Sequence, residues 1–97
     1  RYGGEEFLIV VPRCDATLAE YVAERLRMCI SETQFVVDGR SLSMTMSLGV
    51  TSVRGADHAS CEALIHCADQ ALYRAKEQGR NRVVAGALSM AETAEKP

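Results

Sequence analysis

The chain has 97 residues, of which 47% are hydrophobic and 25% are charged, and its formal net charge is −2. This length suits one domain with a modest core. The charge balance argues against non-specific binding to nucleic acids or membrane surfaces, and no apolar run approaches the roughly 20 residues of a membrane span.

The first predicted element is a strand at residues 7–11, a continuous apolar run that Pro12 ends. A short run rich in branched residues and flanked by glycine and proline is typical of a strand covered on both faces. The run follows directly on Gly-Gly-Glu-Glu, the GGEE segment (residues 3–6). We therefore expect the antiparallel partner of this strand to lie upstream of residue 1.

The second predicted element is a helix at residues 15–30. Asp15 and Thr17 are both candidates for its N-cap, because their side-chain oxygens can accept a hydrogen bond from the first turn. Apolar residues then recur at three- and four-residue spacing, which predicts one buried face. These residues are Leu18, Val22, Leu26, Cys29 and Ile30.

A hairpin is predicted next, because Asp38-Gly39 separates two runs rich in β-forming residues. In residues 41–50, apolar residues at the even positions alternate with Ser, Thr or Gly at the odd positions. We expect the apolar face of this long strand to belong to the core. The small residues on its other face permit close approach of either a helix or a ligand, and we favour a helix.

The last two predicted elements are a helix within residues 56–81 and a short strand at residues 82–85. Ser60 is the predicted N-cap of the helix, and Gly79 stands where a left-handed C-terminal cap belongs. Alanines on the apolar stripe allow this helix to pack close to a sheet. The order strand, helix, hairpin, helix, strand (β-α-ββ-α-β) predicts an α+β fold, and we expect residues 86–97 to form a flexible tail.

The four cysteines are Cys14, Cys29, Cys61 and Cys67. They form no C-x-x-C pair, and neither His58 nor His66 completes a zinc spacing. We expect reduced, mostly buried thiols, as in a cytosolic protein, with a disulfide or a metal site as the alternative.

Two adjacent acids, Glu5 and Glu6, stand at the entrance of the first predicted strand. Carboxylates beside a buried strand are costly unless they are solvated, paired or bound to a cation. Because successive strand side chains alternate between faces, we expect only one of the two to face a given site squarely. Paired oxygen ligands suit Mg²⁺, which takes one or two carboxylates together with substrate phosphates.

Glycines and cations supply the other candidates for a binding site. Gly3 and Gly4 permit a positive φ and close contact of a flat ligand with the main chain, with a simple tight turn as the alternative. Lys76 and Arg80, predicted to share the last turn of the second helix, either bind an anion or offset the helix dipole. If the fold brings these residues to the two acids, the sequence predicts a nucleoside-triphosphate site.

Three segments resemble the GGDEF domains, the diguanylate cyclases. They are RYGGEEF, MTMSLGVT and ALIHCADQALYRAKEQGRNRVV, in the order of that family. The resemblance extends to about Val84. It implies a nucleotidyl-cyclase-like sheet flanked by helices, of which residues 1–85 are the C-terminal portion, with the first strand and helices of the domain missing.

The resemblance also implies an activity. Two GTP molecules, one on each subunit of a homodimer, would condense into cyclic di-GMP with the help of Mg²⁺. Gly3 and Gly4 would lie along the guanosine. Glu5 would ligate the metal, and Glu6 would assist in metal binding or in activating the 3′-hydroxyl.

Three basic residues gain roles in the same way. Lys76 and Arg80 would hold the terminal phosphates, and Arg25 matches a position that some members use to bind cyclic di-GMP at an inhibitory site. An upstream sensor domain is expected outside this chain, and no nucleic-acid partner is expected.

Family residues that lie further upstream, another metal-binding Asp among them, are missing, so we expect the chain alone to be inactive. The alternative is a catalytically silent GGDEF-like module that binds a nucleotide or a partner. The intact glycines, acids and cations argue against it. We expect a cytoplasmic location, and a membrane anchor upstream of Arg1 stays open.

Overall fold

The computed structural model describes residues 3–53 and 60–87. Its helices and strands are, in chain order, α1 (Ala16–Glu32), β1 (Gln34–Val37), β2 (Arg40–Ser43), β3 (Leu48–Val50), α2 (Cys61–Glu77) and β4 (Val83–Ala85). The predicted α+β class is confirmed. Neither helix within the described ranges is long and apolar enough to cross a membrane.

Helix α1 begins at an aspartate cap. Asp15 Oδ1 accepts a hydrogen bond from the Leu18 amide at 2.8 Å, so Asp15 is the N-cap and Thr17 is not. The helix extends past the predicted end, Ile30, and its C-cap is Thr33. Ala23 is its buried residue, whereas Leu18 of the predicted stripe stays 47% exposed. Helix α1 is therefore only partly covered by the rest of the chain.

Strands β1 and β2 form the predicted hairpin. Asp38 and Gly39 have φ values of 51° and 76°, and two successive positive values are the mark of a type I′ turn. Val37 pairs with Arg40 across that turn. Asp-Gly therefore sets both the position and the register of this antiparallel pair.

The long alternating strand predicted after the turn is interrupted. Strand β2 ends at Ser43, and pairing resumes at Leu48 with a different neighbour, so the two halves belong to separate two-stranded sheets. Leu42 and Met44 are 45% and 47% exposed. The prediction that this apolar face belongs to the core is wrong for the β2 half, because no described element packs over the hairpin closely enough to bury it.

Strands β3 and β4 pair in parallel, with Leu48 opposite Val83. Parallel neighbours need a crossover connection, and α2 lies in it. The helix packs directly onto Gly49, where an added Cβ would overlap the Ala68 carbonyl oxygen and the Leu72 amide nitrogen. At Gly49, the face of the alternating segment that carries small residues therefore packs against a helix, which is the alternative that we favoured over a ligand.

Helix α2 has both predicted caps. The Ser60 hydroxyl accepts a hydrogen bond from the first turn. At the other end Gly79 has a φ of 120°, its amide donates to the Lys76 carbonyl at 3.3 Å, and the Arg80 amide donates to the Ala75 carbonyl at 2.9 Å. This pair of bonds is the Schellman motif, which ends the helix at a glycine.

The core lies where α1 and α2 meet the β3–β4 pair. Small side chains allow the close approach, as predicted from the alanines of the helix. The buried residues in the described ranges are Ala23, Cys67, Ala71 and Ala75. None of them is larger than cysteine, so this core is small.

Residues 7–11 do not form the predicted strand. Neither two-stranded sheet of the described ranges includes them, and Phe7 and Val10 are 69% and 79% exposed. A strand exists through hydrogen bonds to a neighbouring strand, and this segment has no such neighbour in either sheet. The expectation of a first strand buried on both faces is therefore wrong for the chain as folded here.

The four cysteines are all unbonded, which agrees with reduced thiols. Cys67 is buried, but Cys29 and Cys61 are exposed, so the expectation of mostly buried thiols is wrong. Cys29 stays exposed because α1 is covered mainly around Ala23. His58 and most of the predicted tail, residues 88–97, lie outside the described residues.

Candidate functional site

The GGEE segment folds back on itself ahead of the apolar run. The Gly3 amide donates a hydrogen bond to the Glu6 carbonyl at 3.2 Å. Glu5 is exposed, whereas Glu6 is half-buried. The two neighbouring acids therefore occupy different environments, and Glu6 is the one that contacts α2.

An ion pair joins the GGEE segment to the end of α2. Lys76 Nζ lies 3.7 Å from Glu6 Oε2, with the two side chains 32% and 39% exposed. A pair this exposed contributes only about 0–1 kcal/mol to stability. Its importance is positional: it places one acid of the GGEE segment beside the last turn of α2, 70 residues further along the chain.

Arg80 does not lie in the helix. The sequence placed Lys76 and Arg80 together in the last turn of α2, but that helix ends at Glu77 and Arg80 has a left-handed φ of 65°. The prediction of a shared last turn is wrong because the Schellman motif at Gly79 ends the helix first. The exposed Arg80 side chain therefore departs from the loop that follows the helix.

Hydrogen bonds fix the main chain of Arg80 on both sides. Its amide donates to the Ala75 carbonyl at 2.9 Å, and its carbonyl accepts from Arg82 Nε at 3.1 Å. The Arg82 carbonyl in turn accepts from the Leu48 amide at 3.0 Å, which attaches the loop to the start of β3.

Sequence reasoning missed a second set of contacts around this loop. The main-chain amide of Asn81 donates a hydrogen bond to Ser47 Oγ at 3.1 Å, and the side-chain Oδ1 of Asn81 accepts one from Arg27 Nη1 at 2.8 Å. Arg27 also pairs with Glu24, whose pKa is lowered below its ordinary value mainly by the hydrogen bond from the guanidinium. Asn81 and Ser47 stand inside two of the family segments, but no spacing rule pointed to Arg27.

Arg25 lies on the exposed side of α1. Its Nη1 donates to the Tyr21 hydroxyl at 3.3 Å, and its guanidinium carbon is 5.9 Å from the centre of the Tyr21 ring. The guanidinium is thus held against an aromatic ring and still faces solvent.

The chemistry of the acids fits a magnesium ion that shares its coordination with a substrate. Within the described ranges, no group of three or more His, Cys, Asp or Glu side chains is arranged to hold a metal. Glu5 and Glu6 offer two carboxylates, and Mg²⁺ commonly takes one or two, together with substrate phosphates and water. These residues therefore suit a metal that is bound with a nucleotide.

Comparison with known proteins assigns the family. The sequence model described as "Diguanylate cyclase, GGDEF domain" matches residues 1–82. The chain belongs to the GGDEF family. This confirms the resemblance of the three segments, and the matched range includes the whole candidate site.

Relatives and a solved structure agree with this assignment. The GGDEF chain is 42% identical over 83 residues to diguanylate cyclase A of Treponema denticola, covering 86% of this chain and 22% of that protein. It is 44% identical over 86 residues to the response regulator PleD of Caulobacter vibrioides, covering 87% and 19%. The chain thus spans about a fifth of the length of these curated relatives.

The structural likeness is to another GGDEF domain. The crystal structure of the GGDEF domain of DgcB from Caulobacter crescentus, in complex with c-di-GMP, matches with a TM-score of 0.77 and 34% sequence identity. The match covers 88% of this chain and 49% of that one. The fold is therefore that of a GGDEF domain, of which this chain corresponds to about half.

Proposed function

We propose that this GGDEF chain forms part of a diguanylate cyclase that condenses two GTP molecules into cyclic di-GMP. The approach of Glu6 to Lys76 carries the proposal, because it gathers an acid and a phosphate-binding cation at one place. Family membership and the relatives named diguanylate cyclases support it. The reaction joins two nucleotides, so we propose a homodimer in which each subunit holds one GTP.

The nucleotide would be held from two sides. Gly3 and Gly4 lack side chains, so guanosine can lie against their main chain. Lys76 and Arg80 would bind the terminal phosphates, Lys76 as a point charge and Arg80 through its planar guanidinium. Because Lys76 is already 3.7 Å from Glu6, one cation can neutralise both the carboxylate and a phosphate oxygen.

Glu5 and Glu6 would hold Mg²⁺ at this site. When bound, the ion would neutralise charge on the phosphates and orient them for displacement. Glu6, half-buried beside Lys76, would also accept the proton of an attacking 3′-hydroxyl. The exposed Glu5 is the better candidate for a ligand that meets an incoming metal-nucleotide complex.

Arg25 is proposed to bind cyclic di-GMP at a separate inhibitory site. The GGDEF domain of DgcB was solved in complex with c-di-GMP. In this chain the Arg25 guanidinium contacts Tyr21 and stays exposed, so it would be accessible to a phosphate of cyclic di-GMP. We further propose a cytoplasmic location and an upstream sensor domain in the protein that carries this chain.

The test of the proposed activity is Glu5→Ala in the protein that carries this chain. Cyclic di-GMP formation from GTP and Mg²⁺ should fall by about 100-fold or more, because a ligand of the ion that would neutralise charge on the phosphates is lost. The melting temperature should hardly change, since Glu5 is exposed. Glu20→Ala is the matched control: Glu20 is also exposed but lies on α1, outside the proposed metal site, so this variant should keep full activity.

Two outcomes would count against the proposal. Undiminished turnover in Glu5→Ala would show that Glu5 is not a ligand of the metal. A wild-type protein that binds GTP but forms no cyclic di-GMP would support the silent module instead. The 97-residue chain on its own is expected to form no product, because it corresponds to about half of the solved GGDEF domain.

A further inference from the structure

We propose that Asn81, held by Arg27, is a positioning residue for the phosphate-binding Arg80. The inference rests on the proposed function and deepens it. It arises from a hydrogen-bonded group that joins three distant parts of the chain immediately beside Arg80. We call this group, Arg27 with Asn81 and Ser47, the Asn81 clamp.

The loop after α2 has an unusual main-chain conformation. Gly79, Arg80 and Asn81 have successive φ values of 120°, 65° and 48°. Glycine adopts positive φ freely and asparagine does so more readily than most residues, but arginine does so rarely. The conformation of Arg80 therefore has to be imposed by its surroundings.

The Asn81 clamp supplies that constraint. The Asn81 main-chain amide donates a hydrogen bond to Ser47 Oγ at 3.1 Å, and the Asn81 side-chain oxygen accepts one from Arg27 Nη1 at 2.8 Å. These partners are 34 and 54 residues away along the chain, one in the link between β2 and β3 and the other on α1. The loop thus cannot turn relative to either element without breaking a bond.

Arg27 is itself oriented before it meets Asn81. Its Nε donates to Glu24 Oε1 at 2.9 Å and its Nη2 to Glu24 Oε2 at 2.5 Å, a bidentate pair one turn along α1. This geometry leaves Nη1 to face Asn81. The Arg27 side chain is only 19% exposed, so its position is well defined.

Arg80 is fixed in its main chain and exposed in its side chain. Its amide and carbonyl are both hydrogen-bonded, while the guanidinium extends from the loop. The direction in which the side chain leaves depends on the φ and ψ angles that the clamp maintains. Releasing Asn81 should let Arg80 sample other directions, and phosphate affinity should fall although no phosphate contact has been removed.

Three substitutions in the protein that carries this chain separate positioning from folding. Asn81→Gly removes the side-chain acceptor but tolerates positive φ, so it breaks the bond of the clamp to Arg27 without straining the loop and keeps the main-chain bond to Ser47. Asn81→Asp keeps an acceptor for Arg27. Arg80→Ala removes the group that is being positioned. The measured quantity is the Kd for a non-hydrolysable GTP analogue with Mg²⁺, together with KM and kcat for GTP.

We expect Asn81→Gly to raise the Kd and KM about tenfold with a smaller change in kcat, and Asn81→Asp to stay close to wild type. In the Arg80→Ala background, Asn81→Gly should have almost no further effect, because two residues that act through one contact are not additive. An unchanged Kd in Asn81→Gly overturns the inference. An equal loss in both backgrounds also overturns it, since that is the behaviour of a purely structural residue.

The same measurements distinguish this inference from the proposed function. Absence of cyclic di-GMP formation by the wild-type protein would reject the cyclase. The analogue-binding comparison does not depend on turnover, and it decides the role of Asn81 by itself. Melting curves of each variant show that a weaker Kd does not come from unfolding.

Discussion

At the scale of single residues, the chain shows how far residue type predicts a site. Acids next to glycines pointed to a metal and a nucleotide, and Glu6 does lie beside a cation of α2. The approach of Arg27 to Asn81 was not predictable, because no local pattern records a contact across 54 residues. Arg80 differs from this case, because its place outside the helix follows from the local cap at Gly79, a signal that the sequence contains.

The Glu24–Arg27 pair makes stability depend on pH. The hydrogen bond from Arg27 lowers the pKa of Glu24 below its ordinary value of 4.5. A carboxyl with a lowered pKa in the folded state stabilises the protein above its unfolded pKa, and that contribution is lost as the pH falls through the folded pKa. The pair therefore stabilises the fold fully at pH 7 and ceases to do so in acid.

We accordingly expect Glu24→Gln to melt at a lower temperature than wild type at pH 7. The difference should shrink as the pH is taken well below 4.5, because the wild-type carboxyl then becomes neutral as well. Calorimetric melts over that pH range measure it. In an Arg27→Gln background the difference should vanish at every pH, and a gap that persisted there would show that Arg27 is not the cause.

At the scale of secondary structure elements, local signals were reliable where the cause was local. Asp38-Gly39 predicted the hairpin turn, and Ser60 and Gly79 predicted both ends of α2. The alternation in residues 41–50 predicted strand conformation but not which neighbour each half would choose. That choice depends on the parallel partner β4, which comes more than 30 residues later.

Helix α2 packs directly on β3 at Gly49, and this position should not tolerate a side chain. A Cβ there would overlap main-chain atoms of Ala68 and Leu72, which cannot rotate away as a side chain can. Gly49→Ala should therefore push α2 off β3 and cost about 3 kcal/mol of stability. Chemical denaturation of the protein that carries this chain gives the number.

The matched control is Gly4→Ala, because nothing lies within 4 Å of a Cβ added at Gly4. Its unfolding free energy should stay within about 0.5 kcal/mol of wild type, as for most exposed substitutions. Equal stability of the two alanine variants would mean that α2 does not pack on β3 as closely as described.

At the scale of the whole molecule, the described ranges bury only small side chains and leave many large apolar side chains exposed. Several large apolar side chains in residues 7–11 are about half exposed or more. The pattern of this segment is typical of a strand between covering layers, but the segment is neither a strand nor buried. The chain, which corresponds to about half of the solved GGDEF domain, does not provide those layers in the described ranges. The sequence thus indicates that residues 7–11 require covering layers on both faces, and in the described ranges these residues are exposed.

An apolar segment with an unpaired backbone edge is a template for association with another chain. We therefore expect the 97-residue chain, produced alone, to self-associate through residues 7–11. Light scattering should show an apparent mass that rises with concentration over the micromolar range.

Replacing both Phe7 and Val10 by lysine should reduce the association strongly, because like charges then meet along the shared edge. Tyr73→Lys alters a residue that is 63% exposed and lies on α2, not within residues 7–11, and should leave the association unchanged. A monomer whose mass is independent of concentration would show that residues 7–11 are covered in some other way.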